Sequence, residues 1–113
     1  MAGWFELNKS DNGQFHFSLK AANGEIILRS EQYEAKASAQ KGIASVQANC
    51  GQDARYSRKQ SSNGKWYFNL RAGNHQIIGT SQMYASQAGC DNGIASVKQN
   101  GSSAVVKDHT QAG

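Results

Sequence analysis

The chain has 113 residues, a formal net charge of +4, and 38% hydrophobic and 18% charged residues, which excludes a disordered polyelectrolyte and describes an ordinary globular chain of one domain or two very small ones. No apolar run approaches the length of a bilayer-spanning helix, and Met1-Ala2-Gly3-Trp4 lacks the basic and apolar regions of a secretory signal, so a cytoplasmic protein without membrane contact is expected. Cys50 and Cys90 are expected as reduced thiols. Neither they nor His16, His75 and His109 have metal-ligand spacing, so no metal or cofactor is expected.

Trp4 to Asn8 reads as a short strand with Phe5 and Leu7 on one side. Asn12-Gly13 then supplies a hairpin turn, because this dipeptide accepts the positive φ angles of a tight primed turn. Gln14 to Lys20 alternates strictly, with Phe15, Phe17 and Leu19 facing one way and Gln14, His16, Ser18 and Lys20 the other. Asn23-Gly24 makes the next hairpin, and Glu25 to Arg29 returns with Ile26 and Leu28 inward, which turns Ile27 outward. The apolar face of this meander needs a cover. From Lys36 to Asn49, Ala39, Ile43 and Val46, followed by Cys50, recur at helical spacing and supply one. Gly42 lies inside this helix at a cost of about 1 kcal/mol relative to Ala, so a close neighbour is expected there, either the sheet or a second helix.

The plan then repeats. Gly42-Ile43-Ala44-Ser45-Val46 returns as Gly93-Ile94-Ala95-Ser96-Val97, 51 residues later, and the register holds without insertion from Phe5 to Gly101. Arg55 to Gln60, Lys65 to Arg71 and Gln76 to Thr80 are the matching strands, with Trp66, Phe68 and Leu70 inward and Lys65, Tyr67, Asn69 and Arg71 outward. His75 replaces Gly24 at a position expected to have positive φ, which His adopts with some strain. Ser86 is the expected N-cap of a second helix ending near Asn100, whereas the first helix has Ala35 at that point. The first repeat occupies residues 1 to 52 and the second 53 to 108, with a last short strand at Ala104 to Lys107 and a disordered tail from 109 to 113. Residues 1 to 50 sum to zero charge, so the whole excess of +4 lies in the second half.

No catalytic constellation stands out: the histidines are scattered, and no nucleophile elbow, phosphate loop or metal signature is present. The candidate surface is instead the sheet face turned away from the helices, where Lys20, Arg29, Lys65, Tyr67, Asn69 and Arg71 interleave cations with an aromatic ring, as single-stranded nucleic-acid surfaces do. An antiparallel sheet also keeps one solvated face as a matter of course. Ile27 and Ile78, outward by alternation in both copies, form a candidate apolar patch for a protein partner. Ser30 with Tyr33, and Ser81 with Tyr84, form the repeated polar bends from strand to helix. Each serine is expected to satisfy backbone groups and each tyrosine to pack across a helix start, with a small pocket as the functional alternative.

The Asn-Gly hairpins, Phe17-Ser18-Leu19-Lys20 with Phe68-Asn69-Leu70-Arg71, the Ser-x-x-Tyr bends and the doubled Gly-Ile-x-Ser-Val-x-x-Asn together resemble the YegP-like family of small bacterial proteins of unknown function, over nearly the whole chain. The resemblance implies an α+β fold of two β-β-β-α-β units that form one continuous, mostly antiparallel sheet, exchange their C-terminal strands and place two helices on one face. It also implies a monomer with internal pseudo-twofold symmetry, with the stretch near Asp53 to Tyr56 as the first copy's counterpart of the last strand. No activity or catalytic residue comes with it. The functional expectation is a non-catalytic binding or protein-interaction module. The first alternative is single-stranded nucleic-acid binding through the open sheet face, and the second is a small-molecule binder or enzyme at the Ser-Tyr bends.

Overall fold

The structure, a computed structural model, describes residues 3–110. Each repeat opens with a meander whose turns are set by local chemistry. Gly13, Gly24 and Gly64 have φ of 85°, 85° and 83°, and His75 follows them at 70° as the one non-glycine residue in that region among the described residues. The asparagines before these residues brace the turns from their side chains, Asn23 Oδ1 accepting from the Glu25 N–H and Asn74 Oδ1 from the Gln76 N–H.

The first meander is β1 (Trp4–Lys9), β2 (Phe15–Lys20) and β3 (Ile26–Arg29), followed by α1 (Lys36–Asn49). After a single 3₁₀ turn at Asp53–Arg55 come β4 (Tyr56–Gln60), β5 (Trp66–Arg71), β6 (Ile77–Thr80), α2 (Gln87–Asn100) and β7 (Val106–Asp108). One seven-stranded sheet results, in the order β4-β5-β6-β3-β2-β1-β7, antiparallel except where β7 runs parallel to β1. Each strand that follows a helix thus joins the half of the sheet at the far side, β4 beside β5 and β7 beside β1. Of the stretch from Asp53 to Tyr56, only Tyr56 is in a strand, and it opens β4 itself, so the outer edge of β4 has no counterpart of β7. That edge is flanked by charge instead: Arg58 pairs with Asp91 of α2 at 2.6 Å, and Lys59 follows it.

The two halves join in the strand ladder at one residue pair, Arg29 opposite Thr80. What holds them together is the helical layer, since α1 packs on β6 and β5 as well as β1 and β2, and α2 packs on β3 and β2 as well as β5. Between helices and sheet lies a single core in which Phe5, Phe17, Leu19, Leu28, Phe68 and Leu70 are fully buried. At about 25 cal/mol per Å² of apolar surface removed from water, each such side chain contributes about 2 kcal/mol. The aromatic packing is duplicated. Phe17 stacks on Tyr33 with centroids 6.4 Å apart and planes 9° apart, and Phe68 stacks on Tyr84 at 6.4 Å and 10°.

Three expectations change. Ile27 and Ile78 are buried, 5% and 7% exposed, and no outward apolar patch exists at these positions. The cause is a β-bulge in each repeat: Leu19 pairs with Leu28 and Lys20 with Ile26, while Leu70 pairs with Gly79 and Arg71 with Ile77, leaving Ile27 and Ile78 as the extra residues. An extra residue resets the inward-outward alternation. Ile78 accordingly lines a cleft with Tyr33 and Gly42, on the helix side. The neighbours that require Gly42 are Tyr33, on the bend leading into the helix, and Phe17 of β2, so the sheet supplies one of them and the other helix neither. A Cβ there would lie 2.7 Å from the Tyr33 hydroxyl oxygen and 2.8 Å from the Phe17 ring, and Tyr84 crowds Gly93 in the same way. Finally, the last strand begins two residues late, at Val106, and the chain stays ordered beyond it, with the His109 N–H donating to the Leu7 carbonyl at 2.8 Å. Residues 111–113 of the expected disordered tail lie outside the described residues.

Candidate functional site

The helices cover one face of the sheet and leave the other open. Glu6 lies between Lys107 of β7 and Ser18 of β2, Ser18 is opposite Arg29, Arg29 opposite Thr80, and Thr80 opposite Asn69, so one cross-strand row of polar side chains crosses the sheet. Parallel to it run Lys20 beside Trp4, and Tyr67 beside Lys59. The open face therefore carries Lys20, Arg29, Lys59, Arg71 and Lys107 against one carboxylate, Glu6. For the second repeat the reason is written in the chain: between Asp53 and Asp91 there is no acidic residue, while five cations fall there, of which Lys59 and Arg71 reach this face.

The expected surface residues do not share one condition. Lys20 reaches Glu6 at 3.2 Å and is neutralised. Asn69 is 5% exposed, and its Oδ1 accepts from the Thr80 hydroxyl at 2.9 Å, which makes it part of the sheet rather than an available ligand. Arg29 and Lys65 are exposed, and Tyr67 and Arg71 are half-buried. None of the three cations Arg29, Lys65 and Arg71 has a carboxylate partner among the described residues. The Arg71 Nε is buried without a hydrogen-bond acceptor, an uncompensated donor on a charged group.

Sequence reasoning missed Trp4, Lys59 and Lys107. Alternation along β1 places Trp4 on the side of Glu6, away from Phe5 and Leu7, and was the signal available for it. The indole Nε1–H donates to the Glu6 carboxylate at 2.9 Å, and the Lys107 ammonium lies 4.2 Å from the ring centroid. The indole hydrogen bond, then Lys20, hold the Glu6 carboxyl below its usual range against the opposing effect of desolvation.

The other candidates resolve into structure. Ser30 accepts the Phe17 N–H at 2.8 Å and donates to the Glu31 carbonyl, and Ser81 does the same with Phe68 and Gln82. The tyrosines of these bends press against the helix glycines. A shallow cleft of about 400 Å³ lies beside Tyr33, walled by Glu31 and by His75 to Ile78. The Ser10 hydroxyl donates to Gln32 at 2.8 Å and lies 3.1 Å from the His16 Nδ1 in an exposed to half-buried contact. Burial pushes the Cys50 and Cys90 thiols up, away from the thiolate. Among the described residues no group of three or more metal-ligating side chains converges, and no helix is long and apolar enough to cross a membrane.

Fold and surface together define a tandem-repeat α+β protein with one covered and one open sheet face. The chain belongs to a family defined by a domain of unknown function, DUF1508, which matches it twice, at residues 10–57 and 61–108. It is 64% identical over 110 residues to the UPF0339 protein YegP of Escherichia coli strain K12, covering 97% of this chain and all of that one. It is 61% identical over 110 residues to the UPF0339 protein ACIAD0721 of Acinetobacter baylyi, covering 97% of this chain and 99% of that protein. The solution structure of the E. coli protein of unknown function yegP superposes with a TM-score of 0.94 at 62% identity, over all of this chain and 97% of that one. That of the UPF0339 protein SO3888 of Shewanella oneidensis gives 0.92 at 58% identity, over 97% and 93%.

Proposed function

We propose that the protein is a non-catalytic binding module whose ligand is a single-stranded nucleic acid laid across the open face of the sheet. The observation that carries this reading is the charge of that face. Five cations stand against one carboxylate, with the rings of Trp4, His16 and Tyr67 among them. Phosphates are neutralised by such cations, and bases stack on such rings without regard to sequence. A partner docking on an apolar patch is the weaker reading, because Ile27 and Ile78, the residues that would have formed the patch, are buried. A small-molecule site at the Ser-Tyr bends is weaker too, because both serine hydroxyls are held by backbone groups.

The test is a titration of isotope-labelled protein with mixed single-stranded RNA and DNA, followed by amide chemical shifts. Perturbations confined to the open-face strands, weakening steeply between about 50 mM and about 200 mM salt, are expected. No perturbation at the lower salt overturns the reading.

A further inference from the structure

Resting on that reading, we infer that the nucleic acid is held by one half of the open face only, the half formed by β4, β5 and β6, and that Glu6 closes the other half. Pseudo-twofold symmetry would otherwise give every chain two equivalent sites.

The repeats differ at the positions that decide this. Glu6 has Ser57 as its counterpart, Asn8 has Lys59, His16 has Tyr67 and Lys20 has Arg71. In the first half, Glu6 takes the indole hydrogen of Trp4 and the ammonium of Lys20, and Lys107 covers the indole ring at 4.2 Å. Trp4, Lys20 and Lys107 of that half are thus engaged around Glu6, and a phosphate approaching them meets a carboxylate; Arg29, at the seam with the second half, is outside this cluster and has no carboxylate partner among the described residues. In the second half, Ser57 brings no charge. Arg71 has no carboxylate partner and a buried Nε without an acceptor, and Lys59 stands directly across from Tyr67, whose ring no cation covers among the described residues.

A directly opposite pair on adjacent strands has its Cβ atoms about 5 Å apart. Lys59 is thus placed to hold the phosphate adjoining a base stacked on Tyr67. Arg71 lies four residues further along β5, about 13 Å at the rise of a strand, and Arg29 lies at the seam between the halves. These positions suit a short strand with one base on Tyr67 and its phosphates running from Lys59 toward Arg71. The occupant is a single-stranded nucleic acid, and one strand binds per chain.

The experiment uses fluorescence anisotropy and stoichiometric titration of the whole chain with labelled oligo(dT) and oligo(rU), and with inorganic polyphosphate as the control polyanion. Amide spectra check the fold of each variant. Wild type is expected to bind one oligonucleotide. Ser57→Glu should weaken binding about tenfold, and Lys59→Gln should reduce the salt slope by about one released counterion. Tyr67→Ala should weaken oligonucleotide binding and leave polyphosphate binding unchanged. Glu6→Ser, which installs the second repeat's residue in the first, should raise the capacity to two strands. Unchanged affinity in both Ser57→Glu and Lys59→Gln, with loss in Lys20→Ala, overturns the assignment to the second half while the nucleic-acid reading stands. Unchanged capacity in Glu6→Ser overturns the role given to Glu6. Equal affinity for polyphosphate and oligonucleotide, indifferent to Tyr67, marks a general polyanion surface and overturns the stacking site. Failure of wild type to bind either oligonucleotide at low salt removes the reading itself.

Discussion

Leu28 and Gly79 occupy the same position in the two repeats and touch at the centre of the sheet: a Cβ on Gly79 would lie 2.6 Å from the Leu28 Cγ. A symmetric pair of identical repeats has no such solution, since two leucines collide at the axis and two glycines leave a void. Fusing the repeats lets one copy be large and the other small. The same division recurs where the helix ends meet, with a Cβ on Gly101 falling 2.7 Å from that of its counterpart Cys50. Gly79→Ala is expected to destabilise by about 1–3 kcal/mol through overpacking, and Leu28→Ala by about 2–5 kcal/mol through the cavity left behind. Because the two side chains share one space, the double variant should be more stable than the sum of the singles predicts, by about 0.5–3 kcal/mol. Denaturant unfolding of the four proteins measures this, and strict additivity contradicts it.

The sequence made the repeat, the hairpins and both helices legible because each rests on local chemistry: Asn-Gly turns, two-residue alternation, and helical spacing from Ala39 to Cys50. The bulges at Ile27 and Ile78 were hidden, since a bulge is a property of the pairing between strands and leaves alternation along either strand intact. The reason for Gly42 was hidden for a similar cause. Tyr33 is nine positions away, and only the bend at Ser30 swings its ring back over the helix. The surface cations of β2 and β5 were readable from alternation. The covering of Trp4 by Lys107 was not, because Lys107 reaches Trp4 and Glu6 only through a parallel pairing of residues about a hundred positions apart, and residues that far apart leave no periodic trace.

The glycines at 42 and 93 carry a second prediction. An alanine in the middle of a helix is favoured over glycine by about 1 kcal/mol, yet Gly42→Ala should lower stability, because the new methyl meets the Tyr33 hydroxyl at 2.7 Å and Phe17 at 2.8 Å. In a Tyr33→Leu background the same substitution should cost less, with the Phe17 contact accounting for what remains. A thermal-melt comparison of the four chains reads the difference, and a Gly42→Ala chain as stable as wild type sinks the prediction. Gly51, with open space around it, provides the control, and Gly51→Ala should be close to neutral.

Helix capping gives a third. The Ser86 hydroxyl accepts the Gly89 N–H at 3.1 Å, while Ala35 has the same extended backbone and offers no cap. Ser86→Ala should cost about 1 kcal/mol and Ala35→Ser should gain up to about 1 kcal/mol. Denaturation midpoints at unchanged slope test both, and an Ala35→Ser chain no more stable than wild type means that the first helix start is satisfied in another way.

The Glu6 cluster makes stability depend on pH in a calculable direction. The indole hydrogen bond from Trp4 and the pairing with Lys20 lower the carboxyl pKa in the folded chain, so the folded state prefers Glu6 ionised. A lowered carboxyl contributes stability that is fully present above its unfolded pKa and lost as pH falls through the folded one. Glu6→Gln should therefore melt below wild type at neutral pH, and the gap should narrow as the pH falls below the ordinary glutamate range and through the lowered pKa of the folded chain. Asp108, held low by Lys36 and Thr110, acts in the same sense, so the comparison is best repeated in an Asp108→Asn background. A gap that stays constant with pH would show that Glu6 acts on stability through packing and not through charge. A gap that widens toward acid would contradict the direction of the shift. Since protonation also releases Lys20, the same titration links stability to ligand binding. Acid should weaken the fold while opening the first half of the sheet to anions, and the Glu6→Gln chain should have that half open at every pH.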